Sequence, residues 1–287
     1  MKEVDYGLHW FRDGKLYHVF SNNLYMCPFC KENFIGIYQD NVFCTSEFTL
    51  DHYPPQSVGG KKKALVCKKC NNNYGLEVDH VLEDYLKSKS FVSQGSEKVR
   101  TSFQYSDTKG KYKGQIYWNK GALVMELPFK KYPLAKEWVS KRHTVDSKIN
   151  FTFSVPSDKL LIRALLRVAY LIFFEFRGYE FVIHPVGLNM YDAIEGKEDF
   201  FLKDAVLKTG DPLPNGINLI VHPKELSCLI VSFQIALKSN EQFENVQIVV
   251  PHSNNKEDLL SAQEFIEHGR NGKKIDIKFE RLKKLLG

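Results

Sequence analysis

Two Cys-x-x-Cys pairs, Cys27-Pro28-Phe29-Cys30 and Cys67-Lys68-Lys69-Cys70, constrain this chain more than any other feature. Two thiolates separated by two residues reach one ion from a single tight turn. Two such turns complete a closed, tetrahedral, four-sulfur zinc site. One pair alone is compatible with a redox dithiol; two pairs in one loop-rich stretch read as structural zinc. From Cys27 to about Leu86 the chain is dense in Cys, His, Asn and Gly, and small cores of that kind usually need a metal. A closed site leaves no position for water, so this zinc is expected to hold structure rather than to catalyse. Cys44 and Cys228 fall outside the scheme and read as buried apolar cysteines.

The rest of the composition is ordinary. The 287 residues are 43% hydrophobic and 26% charged, which excludes a disordered chain, a collagen and a low-complexity tail. The N-terminus lacks an apolar core of signal-peptide length. The most apolar stretch, residues 164–176, is interrupted by Arg167 and Glu175 and is shorter than the roughly 20 residues that span a bilayer. The expectation is a soluble, cytoplasmic protein with no membrane partner.

Periodicity predicts an α+β protein. Residues 99–105, 113–118, 122–129 and 150–155 are rich in β-branched and aromatic side chains, with Lys109-Gly110 and Lys120-Gly121 as hairpin turns. Ser157 reads as the N-cap of a helix running to Arg177 and ended by Gly178, apolar on nearly all sides and so central to a core. A strand at 180–183, a helix at 190–206, strands at 217–221, 227–236 and 245–250, a helix at 256–268 and a strand near 275–279 follow. The polar stretch 88–98 is the best boundary, dividing an N-terminal zinc-binding module (1–90) from a larger mixed α/β domain (91–287) for substrate or partner recognition.

Between the cysteine pairs lies Thr49-Leu50-Asp51-His52-Tyr53-Pro54-Pro55, then Gly59-Gly60, then Lys61-Lys62-Lys63; Asn71-Asn72-Asn73 follow Cys70 directly. An acid next to a histidine, a proline-bearing loop, a Gly-Gly turn and Cys-x-x-Cys-Asn, in that order, resemble the HNH (ββα-metal) endonuclease superfamily in its four-cysteine zinc branch. The resemblance covers about residues 24–86 and implies a treble-clef-like ββα module that hydrolyses DNA phosphodiester bonds with a divalent cation, Mg²⁺ or Mn²⁺. It makes His52 the general base, a job that suits a neutral imidazole near its ordinary pKa. It makes Asp51 and Asn71 ligands of the catalytic ion, a hard cation that neutralises developing negative charge. Asn72 and Asn73 are the alternatives to Asn71, which as a helix-start residue also suits an N-cap.

The pattern departs from the family in two places. No asparagine precedes the second cysteine pair to orient the base histidine, and the later histidine of some members has only His80 as a counterpart. On an ideal helix His80 lies opposite Asn71, whereas Asp79 lies closer to it as an accessory acid. The helix containing Arg163 to Leu171, with Gly178-Tyr179 after it, also resembles C-terminal regions of some prokaryotic zinc-HNH proteins. The implied setting is prokaryotic restriction or anti-phage defence. Two other readings stand beside it: a non-catalytic zinc module that recognises nucleic acid, and a nuclease effector subunit targeted by a protein partner, with a homo-oligomer also open.

The net charge of +6 is unevenly spread: residues 98–148 hold 12 basic and 4 acidic side chains, against 11 and 11 in residues 1–90. Lys61, Lys62 and Lys63 beside the Asp-His pair read either as a solvated face or as a phosphate clamp. Lys111, Lys113, Lys130 and Lys131, interleaved with aromatics, read either as a nucleic-acid surface or as the solvent face of a sheet whose aromatics pack inward.

Overall fold

The structure, a computed structural model, describes residues 11–12, 15–16, 24–35, 37–39, 42–44, 47–105, 111–127, 149–197, 201, 205–207, 213–237, 243–271 and 276–282. The expected turn at Lys109-Gly110, and the candidate contacts Lys130 and Lys131, lie outside them. The described residues form a mixed α+β structure of helices and antiparallel sheets.

Four short hairpins open the chain: β1–β2 (Phe11–Arg12, Lys15–Leu16), β3–β4 (Leu24–Met26, Asn33–Ile35), β5–β6 (Ile37–Gln39, Val42–Cys44) and β7–β8 (Phe48–Tyr53, Lys62–Cys67). In the last, Phe48 pairs with Cys67 and Tyr53 with Lys62. Its connection needs both glycines: Gly59 adopts φ +87°, and a Cβ on Gly60 would run into the Pro54 carbonyl. Helix α1 (Lys68–Tyr74) follows β8 without a linker. A five-residue π turn (Gly75–Asp79) separates it from α2 (His80–Val92).

The chain then builds a four-stranded antiparallel sheet in the order β11-β10-β9-β12, from β9 (Val99–Tyr105), β10 (Tyr112–Asn119), β11 (Ala122–Glu126) and β12 (Ile149–Thr152). Lys120 and Gly121, both at positive φ, close the β10–β11 hairpin as the two central residues of a tight turn. Phe103, Tyr112 and Ile116 are buried with Phe91 of α2 in the core of this sheet. The inward-packing reading therefore holds for Phe103 and Tyr112, while Lys111 and Lys113 are exposed.

Helix α3 (Asp158–Arg177) is buried along Ala164 to Phe176 without a break, as an all-round apolar helix must be. It is followed by α4 (Tyr179–Ile183) and α5 (Pro185–Ile194). This corrects the strand expected at 180–183 and the helix expected at 190–206. His184 caps α5 by accepting the Val186 N–H at Nδ1, and Pro185 opens it. Val206 belongs instead to β13 (Val206–Leu207). The second sheet runs β13-β16-β15-β14-β17, with β14 (Gly216–His222), β15 (Leu229–Ala236), β16 (Phe243–Val250) and β17 (Lys278–Arg281). Ala262, Phe265 and Ile266 of α6 (Lys256–Arg270) pack on it beside Ile220, Ile230 and Cys228. Cys228 is fully buried, and burial pushes its thiol up to about 12. Among the described residues no helix is long and apolar enough to cross a membrane.

The chain divides into two compact units, Met1–Leu82 with Asp158–Gly287, and Glu83–Ser157. The break read from the sequence at residue 90 and the one at residue 82 both fall in α2; a second break at 157 returns the chain to the first unit.

Candidate metal centre and its buried charge cluster

Cys27 and Cys30 sit on the turn between β3 and β4, and Cys67 and Cys70 on the junction of β8 and α1. Each turn is shaped locally. Lys31 N–H donates to the Cys27 carbonyl (2.9 Å) with Lys31 at φ +60°. The Cys67 thiol caps α1 by accepting the Cys70 N–H (3.4 Å), and Cys67 N–H donates to the Cys27 sulfur (3.5 Å). The four sulfurs lie within 4.8 Å of one another, with Cys30 and Cys67 3.7 Å apart. Zn–S bonds of about 2.3 Å in a tetrahedron require sulfurs about 3.8 Å apart, so this donor set fits a metal ion such as zinc. The Cys30 thiol is raised above its ordinary range, by its hydrogen bond to Cys27 and by burial. Crowded thiols resist ionising without a cation, so metal uptake releases protons. Among the described residues no other group of three His, Cys, Asp or Glu side chains is close enough to share an ion.

Helices α3 and α4 hold the first knuckle. Tyr170 OH donates to the Pro28 carbonyl (2.8 Å) and Tyr179 OH to the Met26 carbonyl (2.5 Å). Phe29 stacks on Tyr170 at 5.5 Å and packs on Tyr74 at 4.7 Å. Tyr25 OH donates to the Leu65 carbonyl (2.8 Å), tying β3 to β8.

Alternation along β7 sends the side chains of Asp51 and Tyr53 to one face and that of His52 to the other. Asp51 is buried, and its Oδ2 accepts from Nη2 of Arg167 on α3. Nη1 of the same guanidinium donates to Asp79 Oδ1 at 2.5 Å. Arg167 is completely buried, with its carbon 5.0 Å from the Tyr74 ring centre and 5.4 Å from that of Phe29; its Nε has no partner. Two residues along, Tyr53 OH donates to Glu175 of α3 at 2.9 Å. Burial, opposed by Arg167, raises the Asp51 carboxyl above its ordinary range. Burial, opposed by Arg167 and reinforced by Asp51, pushes Asp79 up to about 7.

The residues singled out in the sequence are thus only partly gathered. The four cysteines converge. Asp51 and Asp79 each pair with a different nitrogen of the Arg167 guanidinium. His52 is half-buried with Lys63 as its cross-strand partner; the Lys62 and Lys63 side chains lie outside the described residues, and Lys61 is exposed. Asn71 is half-buried, and Asn72, Asn73 and His80 are exposed. The π turn removes the ideal-helix premise that related Asn71 to His80 and Asp79. Arg167 and Glu175 were visible as charges interrupting an apolar helix, and a buried charge demands a partner; which partner was not legible.

No protein-family model, curated protein or solved structure compared with this chain matches it.

Proposed function

We propose that the chain is a zinc-stabilised, divalent-metal-dependent HNH endonuclease that hydrolyses DNA phosphodiester bonds in prokaryotic restriction or anti-phage defence. One observation carries this reading: a β-hairpin bearing Asp51-His52 leads straight into α1 through the second pair of a closed four-cysteine cluster. That is the ββα order the sequence resemblance implies. His52 takes the proton from the water that attacks phosphorus. Asp51 and Asn71 would hold the Mg²⁺ or Mn²⁺, which would supply charge neutralisation at the phosphoryl oxygens. Because Arg167 engages one oxygen of Asp51, ion binding there works against, or beside, that guanidinium.

The same ion pair favours a second reading, a zinc module that binds nucleic acid without cutting it, with Asp51 as a structural acid. Plasmid nicking in Mg²⁺, Mn²⁺ or EDTA separates the two. His52→Ala is expected to abolish metal-dependent nicking while zinc content and circular dichroism stay unchanged; cleavage by this variant at the parent rate overturns the assignment.

A further inference from the structure

We infer that a groove in the Glu83–Ser157 unit binds the sugar-phosphate backbone of a nucleic acid, with Arg100 and Lys113 taking the phosphates. The inference rests on nucleic acid as the ligand of the proposed function, and not on cleavage. The groove encloses about 430 Å³, within the range of specific ligand sites. Among the described residues its lining cations are Lys87, Lys98, Arg100 and Lys113, and its one lining carboxylate is Asp84.

Register explains the grouping. Lys113 of β10, Ser102 of β9 and Thr152 of β12 form one row across three strands; Gln115 and Arg100 form the next. Arg100 and Lys113 are therefore diagonal neighbours on one face, and both are exposed. Glu126 is the cross-strand partner of Gln115 and would quench this face, but Lys98 takes it at 2.6 Å. Lys87 is likewise taken by Glu83 at 2.5 Å. Among the described residues no ion pair engages Arg100 or Lys113. Arg100 and Lys113, flanked by the hydroxyls of Ser102, Thr152 and Ser154, offer what a phosphate accepts: charge and hydrogen-bond donors. Among the described residues no aromatic ring lines the groove, and its cations and hydroxyls suit the sugar-phosphate backbone rather than a base.

The test is Arg100→Gln with Lys113→Gln in the full-length zinc-loaded protein, with Lys278→Gln on β17 as the control. Binding to a labelled duplex is read by fluorescence anisotropy in Mg²⁺-free buffer across a salt series, and folding by melting temperature. The double variant is expected to melt like its parent and to lose about 2 from the slope of log affinity against log salt, since each duplex phosphate contact contributes about 0.9. The control is expected to keep the parent slope. An unchanged slope in the folded double variant overturns the site, as does an equal loss in the control. A double variant that keeps its DNA slope but loses binding to polyglutamate assigns the groove to an acidic protein and overturns the nucleic-acid assignment. Because no turnover is measured, a protein that binds but never cuts sinks the nuclease reading alone, and a nuclease whose double variant keeps its slope sinks the groove alone.

Discussion

Arg167 is the residue on which the buried charges turn. One fully buried guanidinium faces two carboxylates, Asp51 buried and Asp79 partly exposed, so the cluster carries one negative charge too many if both acids ionise. The fold accommodates this by holding a proton. With Asp79 near 3.8 when unfolded and about 7 when folded, folding takes up a proton between those values. The resulting stability is fully present below the unfolded value and is lost as pH rises through about 7. Asp79→Asn keeps an acceptor for Nη1 but does not titrate. Unfolding free energies from urea titrations at about pH 5 and about pH 8 should therefore show a smaller decline for the variant than for its parent. An equal decline would place the proton elsewhere. The sequence signalled this cluster incompletely: a charge inside an apolar helix announces itself, but its partners stand 116 and 88 residues away, and only packing reveals them.

At the scale of elements, what was legible followed local physics. The strands β9 and β10 and the two-residue turn at Lys120-Gly121 fall where the sequence placed them, and α3 starts and stops where its flanking Ser157 and Gly178 indicate. Phe181-Val182-Ile183 has strand composition, yet it forms α4 because Phe181 and Val182 are buried, Phe181 against the rings of Tyr170 and Phe173. Tertiary contact there overrides propensity. The π turn after α1 has no sequence signature, and it decides that Asp79 meets Arg167 while His80 is exposed. The hydroxyls of Tyr170 and Tyr179 hold the first cysteine turn, a role their place in an apolar helix and beyond its glycine stop does not announce. Tyr170→Phe leaves the Pro28 carbonyl without that donor, an expected cost of about 1 kcal/mol. Zinc affinity, read by competition with a chelating dye, should fall with it; an unchanged affinity would show that the knuckle keeps its shape unaided.

At the scale of the molecule, each compact unit has buried residues of its own, but only one contains the cysteines. Calorimetry of the zinc-loaded chain should therefore resolve two transitions, of which chelation lowers one and leaves the other in place. A single transition that moves as a whole would refute independent units. The buried aromatics of the cysteine-bearing hairpins and of β7, Phe29, Tyr25 and Tyr53, are completed by Tyr170, Tyr179 and Glu175, side chains from more than a hundred residues later. The cysteine hairpins are consequently poor material for grafting. Moved to another host without residues 158–183, they would arrive with bare aromatic faces and an unmatched acid at Asp51. A workable chimera would exchange residues 83–157 and leave the two flanking segments together, whatever host or ligand it was built for.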